Sequence, residues 1–532
     1  MKDKILVFDT ETKGLYGEFL IGGVLIDNNF MFFDDKEKMK EFLKEKEKQG
    51  YKLTGHNVMY DFTVLDYKPE SFKNFHDTLL YAKAIGGLLE VQDFNLEDLC
   101  IKLNVYQYQT QKNVIRKMFE RGVLNFDYKK YLQEDLEATH KLFQKLFSYY
   151  PVGQKVYAVD KMMVLILLDI QKRGIPFARK EAEKQYDQIE VVIHETAKYF
   201  RERFGININS PVQIVKKFKL PNAQRSTLIE AVLNCDDAEK KKAIEVILQY
   251  KNQVKQLNFL DRFLNFSKYD GRVRGYFHPC GAISGRLSCV NENLLQIPRN
   301  LRSLFVTDKY FLIYDFSQIE LRLAGQIWKE PLFIKTFQND EDLHLLTSKT
   351  LFKKGEISKE ERQTGKIFNF AMLYGAGIKT LSQVLLEAGL NYSVETVRDF
   401  RYSWFNLYKQ IAKHHKEVAE YLQENKTITI ETALGRVIQA SNFSDALNFP
   451  IQGSGADLLK GVVIKFLRKF PDAKIINLVH DEIQIECETE EEAKIYAEAL
   501  ETCLKEAWET LFPEVYVPVK GEYAISKSLA KS

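Results

Sequence analysis

Residues 478–486 read LVHDEIQIE, which sets His480 and two adjacent acids, Asp481 and Glu482, between apolar runs. Carboxylates about 5 Å apart repel by roughly 3 kcal/mol at an effective dielectric near 20, so something must offset that repulsion. A third acid, Asp315, closes the apolar run FLIYD, where a buried strand would leave it at an exposed end. If the fold sets Asp315 beside Asp481, two magnesium ions between them attract each carboxylate more strongly than the carboxylates repel one another. Between these acids lies RQTGKIFNFAMLYGAG, which spaces Arg362, Lys366, Phe370 and Tyr374 four apart. In a helix such steps drift by about 40°, giving one stripe about 18 Å long that runs from two cations to two aromatic rings. The cations suit a triphosphate and the rings a base and sugar. Alone, the stripe also reads as a half-buried helix whose cations snorkel, and the HDE tripeptide as a solvated turn.

A second set of acids lies near the start. Asp9 and Glu11 stand two apart in KILVFDTE, so a strand points both carboxylates to one side. Asp61 in HNVMYD and Asp135 in YLQED can join them, with Tyr131 one helical turn before Asp135. Several carboxylates around one point need divalent cations to coexist, and two cations about 4 Å apart form a device for phosphodiester hydrolysis. Taken singly, each acid reads as a solvated strand end or a helix cap.

These residues must be positioned by a chain of 532 residues, long enough for about three or four domains or subdomains. Hydrophobic residues make up 45% and charged residues 28%, with a net charge of only +3, so overall charge reveals no nucleic-acid partner. Basic clusters such as Lys216, Lys217 and Lys219, or Arg272 and Arg274, read as solvated faces unless something else points to phosphate. The six cysteines form no CxxC pair and suggest neither a zinc knuckle nor a disulfide framework. The longest apolar run, Met162 to Leu168, is too short to span a bilayer, and the apolar run at the start is too short for a signal peptide.

The opening 150 residues predict strands at KILVFDTE, FLIGGVLID and NFMFFDD, the last two joined by a turn at Asp27, Asn28 and Asn29. Helical patterns follow, so an α/β layer with an antiparallel edge is expected, ending near SYYPVGQ. From about 156 to 270 the pattern is long and helical, with one helix ending on Gly174. Short strands and turns begin at 271, then the strand KYFLIYD, then helices from 317 to about 425. Strands return at TITIETALGRVI and in a hairpin pairing AKIINLV with IQIEC. In its second arm Ile483, Ile485 and Cys487 alternate with Gln484 and Glu486, as one buried face requires. Thr489 and Glu492 read as a capping box for the next helix.

The order and spacing of the N-terminal acids resemble the three motifs of the DEDD-type 3′→5′ exonucleases of RNase H-like fold, in the variant with Tyr in the third motif. That resemblance implies magnesium or manganese held by Asp9, Glu11, Asp61 and Asp135, an attacking water oriented by Tyr131, and contacts to DNA from Asn57 and Leu15. DFSQIELR, RQTGKIFNFAMLYG and VHDE, in this order, resemble motifs A, B and C of the family A DNA polymerases. SGRLSCVNENLLQIP, TALGRVI and NFPIQGSGAD fit the same family. The resemblance covers essentially the whole chain and implies an α/β multidomain protein, an RNase H-like exonuclease followed by a right-hand polymerase. The divisions expected are an exonuclease domain at 1–155, a thumb at 156–270, a palm at 271–330 and 441–532, and fingers at 331–440. Because the first exonuclease motif falls at Asp9, the 5′ nuclease domain that begins many members is expected to be absent.

Within that likeness Asp315 and Asp481 carry two catalytic Mg2+ ions, the backbone carbonyl of Phe316 adds a ligand, and Glu482 is an accessory acid. Arg362 and Lys366 grip the incoming dNTP, Lys366 also being the proton donor to pyrophosphate. Phe370 and Glu320 form the sugar pocket, Glu320 barring a ribose 2′-hydroxyl, while Gln318, His344 and Tyr374 complete the nucleotide site. Phe at 370 resembles members that reject dideoxynucleotides. Arg286, Arg436, Asn448, Gln452 and His480 contact the DNA primer-template. Leu295, Gln363 and Ala371 depart from residues usual in the family and bear on fidelity and template grip. The function implied is DNA-templated synthesis with proofreading, in replication or repair. A monomer is expected, in the cytoplasm of a bacterium or phage-infected cell, an organelle being left open. An exonuclease whose polymerase half only binds DNA would need a damaged polymerase site, yet Asp315, Asp481, Arg362 and Lys366 are all present.

Overall fold

A mixed sheet and an antiparallel one, each laid against helices, position the two sets of acids. The computed structural model describes residues 4–69, 72–124 and 128–530, so the few residues at either end of the expected outer domains lie outside the described residues. In the N-terminal sheet the strand Lys4–Lys13 is central, flanked by Glu18–Ile26 and then Asn29–Phe33 on one side, and by Tyr51–Gly55 and then Phe75–Asp77 on the other. The first pair and the outer hairpin are antiparallel, whereas Tyr51–Gly55 and Phe75–Asp77 run parallel to the centre. The hairpin turns at Asp27 and Asn28, whose positive φ of 49° and 66° suits short polar side chains. The expected antiparallel edge is therefore present.

The helix Gln154–Arg173 leads away from this layer and ends on Gly174, at φ 65°. Helices Arg179–Phe204 and Ala238–Phe266 pack along one another. With two shorter helices between them they enclose a small separate core around Phe200, Leu228, Ile244 and Ile247. The long helical stretch expected from the sequence is thus an arm with its own apolar interior.

The second sheet runs Lys474–Val479, Glu482–Cys487, Val306–Phe316, Gly521–Ser528. The expected hairpin forms, Val479 facing Glu482, with a shift in register between Ile475 and Asn477. One expectation fails here. Gln484 and Glu486 are buried, at 1% and 9% exposure, as are Ile483, Ile485 and Cys487. Both faces of this strand are covered, and the polar face is satisfied internally. Arg272 pairs with Glu486 at 2.7 Å and Thr307 donates to it at 3.0 Å. The capping box also closes only halfway. Glu492 N–H donates to Thr489 Oγ1, but the Glu492 carboxylate receives the N–H of Glu488. Among the described residues no helix is long and apolar enough to cross a membrane.

Candidate active sites

Asp315 is the next-to-last residue of Val306–Phe316 and pairs in register with Glu482. The N–H of Phe316 donates to the carbonyl of Asp481 at 3.1 Å. That bond fixes the hairpin turn against the strand end, so Asp315 and Asp481 line one cavity of about 450 Å³. The turn depends on His480, which takes φ 55° and lines the same cavity. Burial, with Asp315 next, pushes the Asp481 carboxyl up to about 7. A charge so penalised is what a bound divalent cation would relieve, and two facing carboxylates are the donor set that magnesium takes.

Glu482 stands differently. It is 5% exposed, accepts from the Gln484 amide and has Arg302 at 3.8 Å. Arg302 has no counterpart in the sequence reading.

The helix Lys359–Leu373 forms as expected, capped by Ser358 and Glu361 in a reciprocal box. Tyr374 is its C-cap, and Gly375 follows at φ 73°, where an added Cβ would meet Phe443 at 2.4 Å. Lys366 and Phe370 face the cavity of Asp315. Arg362, at the outer end, is held by Asp342 at 2.7 Å. His344 lines the cavity, and its ring lies 5.8 Å from that of Phe370. Burial pulls its pKa down to about 4, keeping it neutral at pH 7.

Glu320 opens the helix Ile319–Trp328, entered through Gln318 at φ 51°. Its carboxylate is shared by two of the expected partners. The Tyr374 hydroxyl donates to one oxygen and the Arg286 guanidinium pairs with the other. Gln452 also hydrogen-bonds Tyr374. Asn448 lies one turn before Gln452 on the helix Phe443–Lys469 and is half-buried.

Arg436 requires a correction. Expected at a DNA surface, it is 0% exposed, pairing with Asp160 at 2.7 Å and donating to the carbonyl of Lys83. Its stem packs on Gly285, where a Cβ would stand 2.5 Å from Nε. The run TALGR that carries it turns inward because Asp160, far away in sequence, offers a buried carboxylate.

Of the N-terminal acids, Asp9, Glu11 and Asp135 line a second cavity, of about 890 Å³. Asp9, Glu11 and Asp135 present oxygens within 4.8 Å of one another. Burial, then Asp135, pushes Asp9 up to about 7, and burial, then Asp9, carries Glu11 well above the usual carboxylate range. Crowded carboxylates raised in this way fit a divalent cation. Asp61 stands apart from that trio. It is 1% exposed, and its Oδ1 accepts from both the N–H and the hydroxyl of Thr10, at 2.9 and 2.7 Å. Tyr131 is 3% exposed and lines the cavity, hydrogen-bonded to Arg116. Leu15, 60% exposed, stands at the cavity with Asn57. Asn57 caps the helix Val58–Val64 at φ 72°, and its N–H donates to Asp77.

Sequence reasoning missed two cations here. Lys112 lies 2.7 Å from Asp135, and Arg116 follows one turn later on the helix Lys112–Glu120. Their spacing of four was visible, but it is also that of any solvated amphipathic helix.

Comparison with known proteins places this geometry in context. Residues 177–531 match the description of DNA polymerase family A. The chain is 31% identical to DNA polymerase I of Aquifex aeolicus, over 93% of this chain and 90% of that protein. It is 24% identical to DNA polymerase I of Borreliella burgdorferi and 28% to that of Bacillus subtilis, spanning only 59% and 45% of their lengths. Its fold is similar to a solved structure described as the POL domain of Pol1 from M. smegmatis in complex with DNA primer-template and dNTP. The TM-score is 0.77 at 19% identity, over 99% of this chain and 95% of that one.

Proposed function

The chain belongs to DNA polymerase family A, and from that premise we propose that it extends a primer 3′ end with dNTPs at Asp315 and Asp481 and trims that end at Asp9, Glu11, Asp61 and Asp135. The observation that carries this reading is the bond from Phe316 to Asp481, which brings two acids 166 positions apart to the mouth of one cavity also lined by Lys366 and Phe370. In each site magnesium or manganese would supply charge neutralisation for phosphoryl transfer.

In the first site Asp315, Asp481 and the Phe316 carbonyl would hold the metal. Arg362 and Lys366 hold the triphosphate. The primer 3′-hydroxyl loses its proton to water as its oxygen bonds to the α-phosphorus and the bond to the leaving pyrophosphate breaks, and Lys366 supplies a proton to that leaving group. Phe370 and Glu320 bound the sugar, and Tyr374, tied to Glu320, keeps that wall in place. Release of Arg286 from Glu320 then frees it for the primer-template, with Asn448, Gln452 and His480.

In the second site water attacks the terminal phosphodiester. Its oxygen bonds to phosphorus, the P–O3′ bond breaks, and a proton passes to the leaving 3′-oxygen, giving a nucleoside 5′-monophosphate and a shortened primer. Tyr131 orients that water, and Leu15 and Asn57 hold the end of the strand. The likeness further supports an exonuclease at 1–155, a thumb at 156–270, a palm at 271–330 and 441–532, and fingers at 331–440. The bacterial relatives support a cytoplasmic setting.

A 5′-labelled primer on a longer template, with magnesium, tests both halves. Extension with dNTPs and trimming without them are expected. No extension removes the first assignment, and no trimming removes the second.

A further inference from the structure

In the cavity of Asp9, Glu11 and Asp135 the closest cation to the acids is not accounted for by the trimming reaction as described. Lys112 Nζ lies 2.7 Å from Asp135 Oδ1, with the two side chains 6% and 8% exposed. The Tyr108 hydroxyl donates to the same oxygen at 2.9 Å. The ammonium also sits 3.9 Å from the centre of the Tyr108 ring and 5.6 Å from that of Tyr131. Lys112 therefore touches the carboxylate expected to ligate metal and adjoins the residue expected to orient water.

We propose that Lys112 is a catalytic residue of the trimming site, exchanging its bond to Asp135 for one to the phosphate being cleaved.

This rests on reading the cavity as the exonuclease site. Lys112 neutralises the Asp135 charge that a metal would also draw on, so ammonium and metal compete for that carboxylate. Released from Asp135 while its side chain stays buried, the ammonium needs another anion. The substrate supplies one. Asp9, Glu11, Asp61 and Asp135 carry about four negative charges, which two divalent cations balance, leaving the phosphodiester uncompensated. As water adds and the P–O3′ bond lengthens, that phosphate gains a second negative charge. Lys112, with Arg116 one turn away lining the same cavity, supplies the matching positive charges. Lys112 contributes charge and position.

The exchange has a double signature. In a chain carrying Asp315→Asn and Asp481→Asn, so that only the trimming site reports, Mn2+ binding is followed by paramagnetic resonance. Adding Lys112→Met removes the competing cation and is expected to tighten Mn2+ binding about tenfold. At saturating Mn2+ it should slow single-turnover trimming on the order of a hundredfold. Lys112→Arg restores most of the trimming. Primer extension by the Lys112→Met single variant stays at the wild-type rate, which reports an intact fold. A purely structural role would weaken binding and trimming together. Unchanged or weaker Mn2+ binding, or full-speed trimming, in Lys112→Met overturns the proposal while leaving the site in place. Wild-type Mn2+ binding and trimming in Asp9→Ala would remove the site itself, and the proposal with it.

Discussion

The Arg436 guanidinium lies 2.7 Å from the Asp160 carboxylate with neither side chain exposed. Lys460 closes on the other Asp160 oxygen at 2.6 Å. Asp160 belongs to the helix Gln154–Arg173 and Lys460 to Phe443–Lys469, while Arg436 immediately precedes the strand Val437–Ala440. Burial alone would raise the Asp160 carboxyl, but Arg436 and Lys460 outweigh it and hold it below its ordinary value. Removing the shared anion leaves two cations in the interior. Asp160→Asn should therefore cost about 3–5 kcal/mol, read by chemical denaturation. A loss under about 1 kcal/mol would show that the triad does not hold these segments together.

The trimming site should be separable from synthesis. Asp9 shares its cluster with Glu11 and Asp135 and lies on a different sheet from Asp315. Asp9→Ala is expected to lower trimming of a single-stranded 3′ end by at least about a hundredfold, with extension of a paired primer unchanged. Equal loss of both activities in a gel assay would argue against two sites.

Phe370 borders the cavity of Asp315 and Lys366 without a polar group of its own. Phe370→Tyr adds a hydroxyl where a dideoxynucleotide lacks one, so its discrimination against dideoxynucleotides should fall by more than about tenfold. Competition between a dNTP and its dideoxy form measures this directly. An unchanged ratio would remove Phe370 from the sugar pocket.

Asp481 links the site to pH. Its folded-state pKa, pushed up by burial and then Asp315, is about 7 against an ordinary 3.8. Folding thus favours the protonated form, so this group's stabilising share is complete below about pH 4 and is lost as pH rises through about 7. In chelator, Asp481→Asn should gain on the wild type across that window, by up to about 1.4 kcal/mol per pH unit. Magnesium should narrow the gap above pH 7. Parallel stability curves from pH 4 to 8 would show that Asp481 is not so penalised.

Local pattern carried much of this architecture into the sequence. The alternation around Asp9 and Glu11, the turn at Asp27 and Asn28, and the four-residue spacing of Arg362, Lys366, Phe370 and Tyr374 each depend on neighbours along the chain. What stayed hidden depends on distant partners. Arg436 looked like a surface cation because nothing near it announces Asp160, 276 residues away. Lys112 gave no signal apart from a helical face. NFPIQGSGAD has the residues of a break, yet it lies within the 27-residue helix Phe443–Lys469, Pro450 included. Its Gly453 allows close approach, since a Cβ there would meet Thr432 Cγ2 at 2.4 Å. Gln484 and Glu486 read as an outer face because the segments that cover it, with Arg272 and Thr307 on Glu486, lie far away in sequence.

Single-turnover primer extension by Asp481→Asn beside the wild type tests the central claim most directly. With a paired primer, dNTPs and magnesium, the account expects extension to fall by at least about a thousandfold, while trimming of an unpaired 3′ end stays within about twofold. Extension at a rate near that of the wild type would contradict it, because the carboxylate fixed beside Asp315 would then not be the one that carries the chemistry.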